Sequence, residues 1–514
     1  MKKESLLKKL KSHEISGSIP MHMPGHKRNP EVFDGTLPYG IDITEIAGFD
    51  DLHSPESGEC LFELSKRAEE LYGIAHGSAD SAPISAYPLV CGSSGGILAA
   101  VRALTIQLRS QGKEPSVIMA RNCHKSVWHA VELCRLDAEF LSPSPTNADG
   151  IFGEIAPKSV ERMMNGRPDG QIVIITSPTY EGIISDVRKI GEIVRRHGGY
   201  LVLDAAHGAH LPFMPSNSGR QIFDGADIVI TSLHKTLPSL TQTALLLVAG
   251  DRVDRFRVAR ELNVFETSSP SYPLLASIER CLELTEEWSG RGENDSSSRF
   301  EAYESTLITA RERLSRLNNL KLLHAPSYDI GKLVISTDGA IKENREPLYG
   351  TELSDILSQK YNITVEMSAP RHIIAMTSVA DMQKNNGGYF SPSIDRFCAA
   401  LEAIDSTLTR AEVTGESNER QVSIHIPQRA MPAHKAIEHP WGIEYIDLEK
   451  AVGRVSGCYV WAYPPGIPII APGETVDSSV IEIIREYKKT NATVHILPRT
   501  HRDDEGVIAV LKNL

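Results

Sequence analysis

Between residues 85 and 248 the chain alternates two hydrophobic periods. Short apolar runs read as buried strands: Ser116 to Ala120 (SVIMA), Gln171 to Thr176 (QIVIIT), Tyr200 to Leu203 (YLVL), Asp227 to Thr231 (DIVIT) and Thr243 to Val248 (TALLLV). Longer amphipathic stretches separate them. Ile97, Ala100, Val101, Leu104 and Leu108 recur at helical spacing directly after a glycine-containing turn, Cys91 to Gly96. Strands and helices alternating in this way are the pattern of βαβ units, so the chain is expected to be α/β with a mainly parallel sheet.

The pattern then changes twice. Residues 288–298 (WSGRGENDSSS) are polar and rich in Gly and Ser, and a second α/β segment follows them to about residue 412, where GESNERQ looks like another linker. The expected division is an N-terminal surface helix over 1–20, a large domain over 21–290, a smaller α/β domain over 291–412 and a C-terminal domain over 413–514. A chain of 514 residues with 41% hydrophobic content is too long for one core, which agrees with several domains.

Charge and cysteine content narrow the function. A net charge of -12 and a pI near 5.9 give no electrostatic reason to bind nucleic acid or an anionic membrane, so a small-molecule substrate is expected. The seven cysteines are scattered and form no Cys-x-x-Cys pair, which fits a reducing cytoplasm. The lysine-interrupted N-terminus is not followed by a small-residue cleavage site, and no apolar run reaches the roughly 18 residues of a membrane span.

Four segments carry candidate chemistry. In Thr231-Ser232-Leu233-His234-Lys235-Thr236, Lys235 follows an apolar strand instead of lying in a charged run. Desolvation lowers a lysine's pKa and makes its amine a nucleophile towards an aldehyde, the behaviour of a Schiff-base lysine; a solvated surface lysine is the alternative. In Leu201 to His210 (LVLDAAHGAH) a strand delivers Asp204 at its carboxyl end among small residues that leave room for a flat ring. A buried carboxylate there would keep the pyridine nitrogen of pyridoxal phosphate protonated; an N-cap is the alternative. Gly92-Ser93-Ser94-Gly95-Gly96 opens a helix and suits a phosphate, without the spacing of a dinucleotide or P-loop fingerprint. His124, in Arg121 to Ser126 (RNCHKS), could stack on a ring or be a satisfied structural histidine, and no ligand set nearby makes it a metal site. Phosphate turn, stacking histidine, acidic strand end and lysine, in that order, point to pyridoxal phosphate as cofactor.

Met23 to Lys27 (MPGHK), Asp50-Asp51-Leu52, Asn122 to Ser126, Ser177 to Tyr180 (SPTY), Asp204 to His210, Ser232 to Leu237, Thr267 to Tyr272 (TSSPSY), Tyr463 to Pro468 (YPPGIP) and Pro472-Gly473-Glu474 recur together here. With these motifs the chain closely resembles the ornithine/lysine/arginine decarboxylase family of fold-type-I (aspartate aminotransferase-like) pyridoxal-phosphate enzymes, over nearly its whole length. The resemblance implies Lys235 as the Schiff base, Asp204 on the pyridine nitrogen, His124 stacked on the ring, and Ser93, Ser94, Gly95, Ser232 and His234 around the phosphate. Thr179 and His207 are expected close by, and Lys235 or His234 as the proton donor at Cα. It implies the shorter branch of the family, without the N-terminal response-regulator-like domain. It also implies a homodimer or dimer of dimers, with Ser268, Ser269 and Ser271 reaching the neighbour's cofactor.

Departures bear on the substrate. The family's Asp-Glu-Ala-His-Gly-Ala-His has alanine at position 205 here, Ser-Thr-His-Lys has Leu233, and the acidic residue common before Tyr-Pro-Pro-Gly is replaced by Cys458. Arginine, converted to agmatine, is the expected substrate, with Glu474 a possible anchor for the distal charge; lysine is second and a less basic or modified amino acid third. If Cys458 has no anchoring role, it packs against Tyr459 and Trp461. Other readings are a transaminase, with Arg371 the candidate clamp on the α-carboxylate, an oxidase or lyase on the same scaffold, and a silent regulatory homologue.

Overall fold

A computed structural model describes residues 5–16, 27, 40–43, 59–75, 83–146, 151–216, 223–290, 298–385, 388–411, 424–440, 442–462, 466–490, 494–496 and 506–512. Met23 to His26, Asp50 to Leu52 and Tyr463 to Pro465 lie outside the described residues.

A seven-stranded sheet forms the centre: β1 (Ile84–Leu89), β2 (Ser116–Ala120), β3 (Ala138–Leu141), β4 (Gln171–Thr176), β5 (Tyr200–Asp204), β6 (Ile228–Ser232) and β7 (Ala244–Ala249), in the order β1-β7-β6-β5-β4-β2-β3. Neighbours from β6 to β3 pair in parallel, and β7 alone runs against both its partners. The parallel strands are apolar on both faces because helices cover both sides, which is why their sequences read as unbroken Val/Ile/Leu runs. The two strands that the hydrophobic pattern misses are the edges. β1 carries Pro88 and is only half buried, and β3 is four residues long, so neither has the two-sided burial that makes a strand legible.

The Cys91 to Gly96 segment differs from its expected form: Gly92 to Gly96 are the first turns of the helix Gly92–Ser110 itself. Gly96 brings that helix onto the sheet, since a Cβ there would stand 2.7 Å from Leu89 Cδ1 and 3.2 Å from Ile230 Cγ2. The N-terminal helix, Leu6–Ile15, is capped by Ser5 and buries Leu6 and Leu10, with Leu6 N–H donating to Glu279 Oε2 at 2.8 Å.

A smaller antiparallel sheet follows, built from β8 (Lys321–Leu322), β9 (Lys332–Ser336) and the strands Met367–Ser368 and His372–Met376, with β9 internal. Helices Arg299–Leu314, Gly350–Tyr361 and Pro392–Asp405 pack around it. The last segment has its own core, including Leu448, Val460, Ile470, Val480, Ile484 and Val510. It is tied to the large sheet where β2 ends: Lys125 N–H donates to the Gly466 carbonyl at 3.0 Å, and Arg121 donates to the Pro468 and Ile469 carbonyls. Among the described residues no helix is long and apolar enough to cross a membrane.

Candidate active site

The parallel strands β2, β4, β5 and β6 all deliver their carboxyl ends to one cavity of about 250 Å³. β2 leads to Asn122 and His124, and β4 ends on Thr176 before Thr179, Tyr180 and Glu181. β5 ends on Asp204 ahead of Ala206 and His207, and β6 passes through Ser232 to Lys235. Ser93 enters from the first turn of the helix Gly92–Ser110, Glu366 from beside the smaller sheet, and Ile467 from the C-terminal segment. Parallel strands all present the same end, which is why one edge of the sheet collects so many polar side chains.

Lys235 sits on the four-residue helix Leu233–Thr236, with Nζ 3.1 Å from His207 Nε2. Burial pulls its pKa below the ordinary amine value, against the opposing pull of Asp204 and Glu366. Asp204 is 2% exposed and its Oδ1 accepts from Ala206 N–H at 3.1 Å. Burial raises its pKa while Lys235 opposes the rise. No α-helix starts after it, only turns and a short 3-10 segment at Leu211–Phe213, so Asp204 is not a helix N-cap. A carboxylate kept here out of water calls for a cation beside it.

His124 does carry the structural role open to it: it is the N-cap of the helix Lys125–Leu133, its Nδ1 accepting from Ser126 N–H at 3.3 Å. The same ring lines the cavity. Burial, then Lys235, Lys125 and His129, push its pKa down to about 3, so the imidazole is a neutral flat ring at any ordinary pH. His207 is also held well below the ordinary histidine value, first by burial and then by Lys235 and Lys332.

Ser93 lines the cavity, whereas Ser94 and Gly95 in the same helical turn do not: Ser94 is exposed and Gly95 is buried against Cys91. Asn122 Oδ1 in the lining, and Ser232 Oγ and Thr236 Oγ1 behind it, are buried without a hydrogen-bond partner; Ser232 itself does not line the cavity. His234 stands outside the cavity lining, with Nδ1 donating to the Thr243 carbonyl at 2.9 Å. Pyridoxal phosphate fits this residue set. Ser93 on a helix N-terminus, with the unpartnered hydroxyl of Ser232 next to the lining, suits an anion, Asp204 calls for a cation, and Lys235 offers a desolvated amine.

Three substrate-side expectations are corrected. Cys458 lies in the C-terminal core with Sγ 3.7 Å from the Ala509 carbonyl, and it neither lines the cavity nor shares the core that holds Tyr459 and Trp461. Cys458 sits on a bend before the strand Val460–Ala462 and packs into the C-terminal core, while Tyr459 and Trp461 stack on each other in the other core with centroids 4.6 Å apart. Glu474 is bound to Arg121 at 3.1 Å and to Ala471 N–H at 2.8 Å, not aimed at a substrate. Arg371 is half exposed and pairs with Asp338 and Glu486, so it is not a carboxylate clamp in this cavity.

The cavity also holds groups that sequence reasoning passed over. Tyr180 donates to Glu366 Oε1 at 2.5 Å, and its ring lies edge-on to His207 with centroids 4.6 Å apart. Glu181 is 5% exposed, and burial raises its pKa. Behind His207 stands Lys332, 3% exposed, with Nζ 3.0 Å from His207 Nδ1. Lys332 opens the apolar run KLVIS instead of following one, so the strand-end argument that singled out Lys235 did not reach it. Glu366 had no signal either.

Such a fold and cavity define a fold-type-I pyridoxal-phosphate enzyme. The family described as Orn/Lys/Arg decarboxylase, major domain, matches residues 4–329, and the same family's C-terminal domain matches residues 416–509. The chain belongs to this decarboxylase family, and it is a pyridoxal-phosphate-dependent decarboxylase. It is 31% identical over 494 residues to arginine decarboxylase of Bacillus subtilis, covering 92% of this chain and 91% of that one. To the arginine decarboxylase of Halalkalibacterium halodurans it is 28% identical over 500 residues, covering 94% and 93%. The crystal structure of lysine decarboxylase from Francisella novicida shares its fold with a TM-score of 0.74 at 17% identity, covering 99% of this chain and 81% of that one.

Proposed function

We propose that the chain decarboxylates a basic L-amino acid, arginine first and lysine second, with Lys235 as the cofactor-bearing lysine. One observation carries this: Lys235 and Asp204 open on the same cavity as the carboxylates of Glu181 and Glu366. Pyridoxal phosphate bound there supplies the electron sink for the electrons of the breaking Cα–carboxylate bond. Asp204 would hold the proton on the ring nitrogen, His124 would lie against the ring, and Ser93 and Ser232 would take the phosphate. Lys235 Nζ would return the proton to Cα, which leaves His234, spent on the Thr243 carbonyl, a supporting role.

Glu181 and Glu366 bring two further carboxyl groups to a cavity that also holds Asp204, Lys235, His124 and His207, which suits a guanidinium or ammonium and takes over the anchoring first sought at Cys458 and Glu474. The resemblance of 31% to an arginine decarboxylase favours arginine over lysine. The test is carbon dioxide and amine release from arginine, lysine, ornithine and a neutral amino acid of similar length, with Glu366→Gln and Glu181→Gln beside the wild type. Loss of one charge-assisted contact should lower kcat/KM for the basic substrate by about 10- to 100-fold. Equal turnover of the neutral amino acid refutes the reading.

The proposal includes a symmetric dimer. Ser268 and Ser269 are exposed on this chain and stand away from its own cavity, and the helix Arg255–Phe265 before them carries exposed Phe256 and Val264. Sedimentation at assay concentration tests it, and a fully active monomer contradicts it. The division at 21–290, 291–412 and 413–514 and a cytoplasmic setting complete the proposal; the latter is supported by the free thiols of Cys91, Cys123, Cys134, Cys281, Cys398 and Cys458.

A further inference from the structure

His207 stands between two amines. Its Nε2 is 3.1 Å from Lys235 Nζ and its Nδ1 is 3.0 Å from Lys332 Nζ. A neutral imidazole has one N–H and one lone pair, so it can donate to one of these amines only while accepting from the other. The two lysines therefore differ in role: one donates to the ring, and the other, which receives from it, must be a neutral amine.

We propose that Lys332 is a positioning residue that exchanges one proton with Lys235 through His207. In the first arrangement Lys332 is the ammonium. It donates to Nδ1, and Nε2–H donates to the neutral amine of Lys235. In the second, Lys332 has passed a proton to Nδ1 while Nε2 has passed its own proton to Lys235, which is now the ammonium. Two protons shift, one positive charge moves from Lys332 to Lys235, and no imidazolium forms.

The reaction needs Lys235 in both forms. As a nucleophile towards the cofactor's aldehyde it must be neutral, and as the donor of a proton to Cα it must be charged. Decarboxylation removes the carboxylate as carbon dioxide and leaves a C–H bond in its place, so each turnover consumes one proton, which solvent finally replaces. The relay gives Lys235 a store for that proton within hydrogen-bond reach.

The surroundings favour one ammonium shared by two lysines. Lys332 faces Asp329 in its own turn, Glu181 from the loop after β4, Glu366 from beside the smaller sheet, and Lys235 and His207 from the large sheet. Burial first, and then Lys235, bring the Lys332 pKa down to about 8, so its ammonium gives up a proton far more readily than a surface lysine does. His207, by contrast, is held too low to keep a second proton. The fold makes room for this lysine at Gly182, where φ is +97° and a Cβ would stand 2.8 Å from Lys332 Cγ.

This inference rests on Lys235 being the cofactor-bearing lysine, which borohydride mapping of the holoenzyme checks separately. The relay itself is tested on cofactor-free protein of verified fold, by competitive acetylation from about pH 6 to about pH 11 with mass spectrometry of the Lys235 peptide. In Lys332→Met the neighbouring charge is gone, and the Lys235 midpoint is expected to rise by about 1 to 2 pH units. Lys332→Gln makes the same neutral test if the methionine variant does not fold. Lys332→Arg keeps the charge but does not release its proton, so its Lys235 midpoint should lie at or below the wild-type value while turnover of the cofactor-loaded variant falls. An unmoved midpoint in the neutral variants, or full turnover in Lys332→Arg, overturns the proposal.

Discussion

Arg121 and Glu474 form an ion pair at 3.1 Å with both side chains sealed from solvent, joining the end of β2 to the C-terminal segment. Arg121 also lies over the Trp128 ring, 4.8 Å from its centroid. The pair fixes the segment that places Gly466 on Lys125 and Ile467 against the cavity. Removing one partner strands the other charge, so Glu474→Ala should cost about 3 to 5 kcal/mol of stability. Denaturant midpoints check this, and a loss within experimental error would show that the pair is dispensable.

Asp204→Asn should leave the fold largely intact and remove most activity, because a neutral amide cannot hold a proton on the ring nitrogen. A lost charge-assisted contact in a buried site accounts for about 1.5 to 3 kcal/mol before any loss of electron-sink character. Near-normal turnover in the folded variant would assign that role to another residue.

Cys458→Glu now has an expected outcome opposite to a gain in basic-substrate specificity. The position is 3% exposed in an apolar core, where burial already pushes the thiol up to about 11. Among the described residues no cation bears on that position, so a carboxylate there should destabilise the chain by about 3 to 5 kcal/mol, the scale of an uncompensated buried charge. A selective rise in kcat/KM for arginine or lysine at unchanged stability would contradict this placement.

Stability should fall on the acid side through the buried histidines. The His124 pKa in the folded state, about 3, lies below the ordinary value of 6.5, so between these values the unfolded chain takes up a proton that the folded chain refuses. The stabilising contribution is therefore complete above pH 6.5 and is lost as pH falls towards 3, at about 1.4 kcal/mol per pH unit. His124→Asn should flatten this slope in urea titrations between those limits, and an unchanged slope would mean that His124 titrates normally.

The sequence was most legible where both burial and chain order repeat. Parallel strands buried on two faces read as apolar runs, and the strand ends that carry His124, Asp204 and Lys235 could be placed along one sheet edge from the sequence. β1 and β3, being edges, carried too little hydrophobic contrast. The two glutamates of the cavity were hidden for a different reason. Glu181 and Glu366 are far apart in sequence and come to line one cavity only in the folded chain. Cys458 misled because a bend before the strand Val460–Ala462 sends its side chain into a different core from that of Tyr459 and Trp461, which adjacency in sequence does not reveal.

Two desolvated lysines, Lys235 and Lys332, stand on either side of His207, and the account depends on which of them carries the cofactor. The direct measurement is reduction of the holoenzyme with labelled borohydride, followed by proteolysis and peptide mapping. The label is predicted on Lys235 alone. Label on Lys332, or on any other lysine, would contradict the assignment on which the proposed chemistry is built.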